Sequence, residues 1–161
     1  MKIIIIGNSG SGKSTLAKSL CSQYKLSLLD LDTLAWKESK PPQREELSKS
    51  KIAIKAFMDK NKEWVIEGGY SDLLQTVLKE ATKVIFLNPG LQTCIENCKK
   101  RPFEAHKYKS MEEQNSNLEM LLNWVQEYYE RDDSFSYKAH RELFEAFSGD
   151  KHEYNSNNRS L

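Results

Sequence analysis

Cysteine and histidine are scarce, three of each, and no charge of one sign dominates the 161 residues. Three thiols, Cys21, Cys94 and Cys98, cannot all pair, and Cys-x3-Cys with no histidine pair nearby does not match zinc spacing, so they read as reduced cysteines and no disulfide or zinc scaffold is expected. Lys and Arg total 24 against 23 Asp and Glu. That balance excludes a polybasic membrane binder and argues against nucleic acid as a partner. No segment approaches the roughly 20 apolar residues of a membrane span, and the short apolar run Ile3 to Ile6 is no signal-peptide core. A cytoplasmic protein without a membrane partner is expected. With 39% hydrophobic residues, the length suits one domain with a proper core.

What the chain does contain is an ordered alternation. Ile3 to Ile6 is a continuous β-branched run, the pattern of a strand buried on both faces. Leu16, Leu20 and Tyr24 then recur at helical spacing. A second apolar run, Leu26 to Leu31, closes on Asp30 and Asp32. After Pro41-Pro42, Leu47, Ile54, Phe57 and Met58 mark a helix, and Trp64-Val65-Ile66 a third strand that stops at Gly68-Gly69. Leu73 to Leu78 predicts a helix, and Val84 to Leu87 a fourth strand. Leu91, Cys94, Ile95 and Cys98 share a helical face, which accounts for the cysteine spacing. Arg101 to Lys109 lacks a period and reads as a loop. Leu118 to Tyr129 predicts one long helix, Ala139 to Phe147 a shorter one, and Lys151 to Asn155 a weak last strand. Strands alternating with helices predict an α/β domain on a parallel sheet, with ligands at the carboxyl ends of the strands.

The strongest local signal is Gly7-Asn8-Ser9-Gly10-Ser11-Gly12-Lys13-Ser14, which satisfies G-x4-G-K-[ST] between a buried strand and an amphipathic helix. Chance produces such a match in about one chain in a few hundred, before that context is added. Glycines let successive backbone N–H groups face phosphate oxygens, and the following helix adds its positive end at Thr15. Lys13 supplies a mobile charge between the β- and γ-phosphates, and the Ser14 hydroxyl is placed to coordinate Mg²⁺. A nucleoside triphosphate, ATP with Mg²⁺, is the expected ligand of residues 7 to 15.

Asp30 and Asp32 lie two apart at a strand end, so a period of two puts both carboxylates on one face of the ligand-binding edge. One can hold a Mg²⁺-bound water and the other orient an acceptor hydroxyl; a solvated strand end or a helix cap is the plainer alternative. Glu67 closes the third strand just before two glycines that permit close ligand approach. Its carboxylate can share the metal's water shell with Ser14.

On Ile3 to Thr15, Leu29 to Trp36, Trp64 to Tyr70 and Val84 to Pro89, the chain resembles small P-loop kinases of the nucleoside-monophosphate-kinase and shikimate-kinase type. It is especially similar to the adenylate-kinase-like topology-modulation group. The resemblance implies a P-loop NTPase fold, a three-layer α/β/α domain with a five-stranded parallel sheet over residues 1–155. It also implies an acceptor-binding segment at 36–62 and a small lid at 101–117; residues 156–161 read as a flexible tail. It puts Glu67-Gly68 near the metal and makes Ser14, Asp32 and Glu67 the metal-facing set. Asp30, Asp32, Arg44, Gly68, Gly69 and Tyr70 fall on the acceptor side, with Arg44 clamping an anion. Lid cations that close on the phosphates are Arg101 with Lys107 and Lys109, then Arg131 and Arg141 from the helices beyond. Adenylate kinases carry Asp-Gly-x-Pro-Arg where this chain has Glu67-Gly68-Gly69-Tyr70, so a monophosphate-clamping arginine is missing there.

The expected activity is phosphoryl transfer from ATP·Mg to a small anionic acceptor, with Lys13, Asp32, Arg101 and Arg131 as catalytic residues, by a monomer or homodimer. Two alternatives stand beside it. One is a nucleotide-dependent regulatory or nucleic-acid-associated module, for which the local feature is the basic run Lys99-Lys100-Arg101 with Lys107 and Lys109. The other is a slow NTPase that switches conformation.

Overall fold

Residues 1–159 are described by a computed structural model. The isoleucine run occupies β1 (Lys2–Gly7), and its alternate side chains go to opposite sides of the sheet. Ile4 and Ile6 pack with Ile54, Leu73, Leu74 and Leu143, while Ile3 and Ile5 pack with Leu16, Ala17 and Leu20. Both faces are therefore covered, as a continuous apolar run requires. Around β1 stand β2 (Ser27–Asp30), β3 (Trp64–Gly68), β4 (Lys83–Leu87) and β5 (Asp150–Tyr154). All pair in parallel in the order β2-β3-β1-β4-β5. This is the five-stranded α/β arrangement expected from the sequence.

On one face lie α2 (Leu47–Lys60), the single turn α3 (Ser71–Leu74) and α7 (Tyr137–Ala146). The other carries α1 (Lys13–Tyr24). Helices α4 (Leu91–Lys99) and α6 (Leu118–Gln126) enclose a smaller core of Cys94, Cys98 and Val125. The three cysteines are unpaired and two are buried, as the helical spacing suggests. Among the described residues no helix is long and apolar enough to cross a membrane.

Several expectations are corrected, among them the long helix over 118–129, which ends at Gln126 and passes into turns. The helix expected over 73–78 is one turn followed by further turns. The aperiodic loop continues into a short helix, α5 (Met111–Ser116), begun by Ser110, whose Oγ accepts from the Glu113 N–H at 3.1 Å. Its residues are nearly all polar, so no apolar period marks it. The tail expected to be frayed is attached as far as Arg159, whose Nη2 donates to the Ser11 carbonyl at 2.9 Å and Nη1 to that of Gly12 at 3.4 Å. Asn157 and Asn97 side chains bond each other beside it. Residues 160–161 of that tail lie outside the described residues.

Strand register sets what meets at the carboxyl edge. Gly7 is opposite Leu87, and Glu67 is opposite both Ile5 on β1 and Asp30 on β2. The loop that leaves β1 thus emerges beside the two acids that end β2 and β3.

Candidate nucleotide and acceptor site

The loop after β1 turns on two left-handed glycines, Gly10 at φ 77° and Gly12 at φ 93°. A Cβ on Gly10 would lie 2.3 Å from the Cys94 carbonyl and 2.6 Å from Cys98 Sγ, so backbone from α4 fills the space where a side chain would go. Gly7, Asn8, Gly10 and Ser11 are buried, Ser9, Gly12, Lys13 and Ser14 half-buried, and Thr15 exposed. Asn8 Nδ2 ties the loop to the Val125 carbonyl at 3.2 Å, and Asn97 Nδ2 ties Gly10 O at 2.8 Å. Lys13 curls back so that Nζ donates to Asn8 O at 2.8 Å. Loss of solvent lowers its pKa, against the pull of Glu67 and Asp32, which favour the charged form. An ammonium held this way at the mouth of a loop of N–H groups is suited to phosphate oxygens.

Ser14 Oγ donates to Glu67 Oε1 at 2.6 Å. Burial pushes the Glu67 carboxyl up to about 7, and the Asp30 carboxylate pushes it the same way, while Lys13 and the Ser14 hydroxyl pull it back. Asp30 ends β2 and its Oδ1 accepts from the Asp32 N–H at 2.9 Å, because the chain passes into a 3₁₀ turn at Leu31–Thr33. The two acids therefore share one edge through a turn, not through the pleat expected from their spacing. Ser14 and Glu67 supply hard oxygen donors beside the phosphate loop, which suits Mg²⁺ completed by waters and phosphate, while the Asp32 oxygens are engaged by Tyr70 and Lys107.

The segment after α4 folds back over these acids. Lys107 Nζ lies 2.6 Å from Asp32 Oδ2, 3.0 Å from Glu104 Oε2 and 3.6 Å from Asp30 Oδ2. His106 Nε2 stands 3.2 Å from Asp30 Oδ2. Burial opposes charge on Lys107, but Asp32 and Asp30 outweigh it and hold its pKa above the ordinary lysine range. Burial likewise raises the Asp32 carboxyl, and Lys107 with the Tyr70 hydroxyl more than reverses this, so it stays below the usual carboxylate range. Arg101 reaches Glu104 at 3.3 Å and lies near Lys13. The basic run at 99–109 thus turns two of its cations inward onto carboxylates.

On the acceptor side, Tyr70 OH donates to Asp32 Oδ1 and accepts from Trp36 Nε1 at 2.7 Å. Trp36 and Arg44 face each other across an isolated antiparallel bridge. Arg44 is not a free clamp: its Nη2 contacts both oxygens of Asp72, at 3.2 and 3.4 Å, and its guanidinium lies 5.0 to 5.9 Å from the Tyr70, Phe135 and Trp36 rings. Gly68 packs closely on Leu31, and the Gly69 carbonyl accepts from His140.

Not every expected residue joins this cluster. Arg131 stacks 3.7 Å from the Trp124 ring centroid, donates to the Trp124 carbonyl and pairs with Asp133 at 3.2 Å, which commits it to packing. Arg141 is held by Glu153 at 2.7 and 2.8 Å and by Tyr137. Lys109 is exposed. Residues that carry no pattern of their own do join: Glu104, Arg159, Asn97 and His140. Buried His140 donates from Nε2 to the Gly69 carbonyl at 2.7 Å and accepts at Nδ1 from Tyr128 OH at 2.7 Å. Only Gly and Tyr at matching strand and helix ends hint at that bridge, and neither is a distinctive signal.

A family model described as AAA domain matches residues 3–109, from β1 through the segment that covers the acids. Among solved structures the chain is similar to shikimate kinase from Acinetobacter baumannii in complex with shikimate, with a TM-score of 0.53 and 18% identity over 99% of this chain and 86% of that one. It is also similar to deoxyadenosine kinase from M. mycoides with bound dATP, with a TM-score of 0.52 and 15% identity over 99% of this chain and 93% of that one. At such identities the likeness is one of fold, that of P-loop kinases. No curated protein matches the chain.

Proposed function

The chain belongs to this AAA domain family of P-loop proteins, and from that premise we propose that it is a phosphotransferase that moves the γ-phosphoryl group of ATP to a hydroxyl of a small acceptor. The observation that carries the proposal is the meeting of the phosphate loop with Asp30, Asp32 and Glu67 at one sheet edge, beneath a cation-bearing segment. A binding switch needs the loop; the acceptor-side carboxylate fixed by Tyr70 is what a transferase adds.

In this reading residues 7 to 15 hold the triphosphate, with Lys13 on its β- and γ-oxygens. Ser14 and Glu67 would hold Mg²⁺, which when bound neutralises phosphate charge. Phosphoryl transfer passes through a loose transition state, so positioning and charge complementarity matter more than a strong base. Asp32, kept ionised by its neighbours, orients the acceptor hydroxyl. Arg101 turns from Glu104 to the transferring group, and residues 101–117 act as a lid that excludes water. Arg131 braces Trp124 and α6 and is no longer part of the proposed catalytic set. The chain works in the cytoplasm as a monomer or homodimer.

The test is turnover of γ-labelled ATP with pooled small acceptors. Label is expected on an acceptor with wild type and not with Lys13→Ala. Identical behaviour of the two proteins across the pool overturns the reading.

A further inference from the structure

The chemistry of the acceptor can be read from how its side of the site disposes of charge. Each cation there already has an anionic partner. Arg44 contacts both oxygens of Asp72, Lys107 lies between Asp32, Asp30 and Glu104, and Arg101 is on Glu104. The first two pairings take up the positive charge that a phosphate or carboxylate on the acceptor would need. An anionic acceptor would also sit beside an anionic nucleotide, where like-charge repulsion is large in a partly buried site.

The same wall offers an aromatic surface. Trp36 is 42% exposed, yet its indole N–H is tied to Tyr70 OH, and that oxygen in turn donates to Asp32. One phenol oxygen therefore fixes the spacing between an open ring and the carboxylate that receives a hydroxyl. Phe135 meets Tyr70 edge-on with centroids 5.1 Å apart, which holds the phenol from behind.

Resting on the kinase reading above, we infer that the acceptor is an uncharged ring-bearing alcohol, a nucleoside or another aromatic alcohol, whose ring lies on Trp36 and whose hydroxyl meets Asp32. The hydroxyl oxygen forms the new bond to Pγ, the bond from Pγ to the β–γ bridging oxygen breaks, ADP leaves, and the hydroxyl proton is released to solvent. The arginine that the sequence suggests as an anion clamp instead stiffens the ring wall: Asp72 neutralises it and the bridge to Trp36 holds it in place.

The experiment compares label transfer from γ-labelled ATP to four acceptor sets: nucleosides, aromatic alcohols of the hydroxymethylpyridine type, nucleoside monophosphates, and non-aromatic hydroxy acids and polyols. Wild type, Trp36→Ala, Tyr70→Phe and Asp72→Asn are assayed side by side. Transfer to the first or second set is expected, and which of these two takes label identifies the source of the ring. KM for that acceptor should rise about tenfold in Trp36→Ala, the scale of one lost base–aromatic stack, with KM for ATP unchanged. Asp72→Asn, which frees the charge of Arg44, should shift preference toward the monophosphates about tenfold. Wild-type preference for monophosphates, hydroxy acids or polyols overturns the inference and leaves the kinase reading intact. A KM for a ring acceptor that Trp36→Ala does not move also overturns it. No transfer to any set overturns both.

Discussion

Ser14 Oγ and Glu67 Oε1 stand 2.6 Å apart although 53 residues separate them in the chain. One residue lies in the first turn of α1 after the phosphate loop and the other near the end of β3, so this hydrogen bond ties the loop's helix to the carboxyl edge of the sheet. Glu67→Gln keeps the shape and an acceptor for the hydroxyl but removes the carboxylate charge. It is expected to raise the Mg²⁺ concentration for half-maximal turnover about 10- to 100-fold, the usual range for lost metal-supporting groups. Titrating Mg²⁺ at fixed ATP checks this.

Lys107 lies 2.6 Å from Asp32 and 3.6 Å from Asp30, and so ties the covering segment to the acids at the end of β2. Lys107→Met leaves those carboxylates facing each other without the ammonium. Amide hydrogen exchange over residues 101–109 is expected to accelerate, while β1 and β4 exchange as before, because the sheet core does not depend on this contact. Unchanged exchange in the segment would show that something else holds it closed.

His140 gives the fold a pH dependence of definite sign. Burial holds its folded pKa down at about 3, although the Gly69 carbonyl favours the charged ring. Between that value and an unfolded pKa of about 6.5 the unfolded chain binds the extra proton, so this group's contribution is present above pH about 6.5 and is lost as pH falls toward 3. The slope is up to about 1.4 kcal/mol per pH unit. Glu67 acts oppositely: its folded pKa is raised to about 7, so it favours the folded state at low pH and loses that as pH rises through 7. Denaturant unfolding from pH 3.5 to 6.5 should show a shallower pH slope on replacing the ring with His140→Gln, by close to one proton.

Arg159 donates to the carbonyls of Ser11 and Gly12 from the other end of the chain. Arg159→Ala should loosen the loop and raise KM for ATP by about fivefold, the equivalent of about 1 kcal/mol for one such hydrogen bond. The KM for the acceptor should not move. Steady-state kinetics in both substrates separates the two.

Legibility in the sequence followed distance along the chain. The β1 run and the phosphate loop are contiguous, and their chemistry is written in adjacent residues. Glu67 was visible because a strand end and two glycines bracket it. Asp30 and Asp32 were recognisable as a pair, although the turn at Leu31–Thr33 that orients them breaks the strand period on which the expectation relied. Arg44 looked free because Asp72 lies 28 residues further on. In the sequence Arg159 belongs to a frayed tail, because its partner Ser11 is 148 residues away. Helix α5 has no apolar stripe to read, and Arg131 has the right type for a lid but a place beside Trp124 that only packing decides. Local patterns specify the phosphate loop; the cluster around Asp32, Tyr70 and Arg44 is assembled by contacts between distant segments.

The γ-phosphorus itself reports whether transfer occurs. Phosphorus NMR of ATP and Mg²⁺ with the protein and mixed ring-bearing alcohols should show the γ-resonance of ATP replaced by a phosphomonoester resonance matched by ADP, and no such conversion with Lys13→Ala. Growth of inorganic phosphate alone, or a γ-resonance that persists equally with both proteins, would contradict the assignment of this site to phosphoryl transfer.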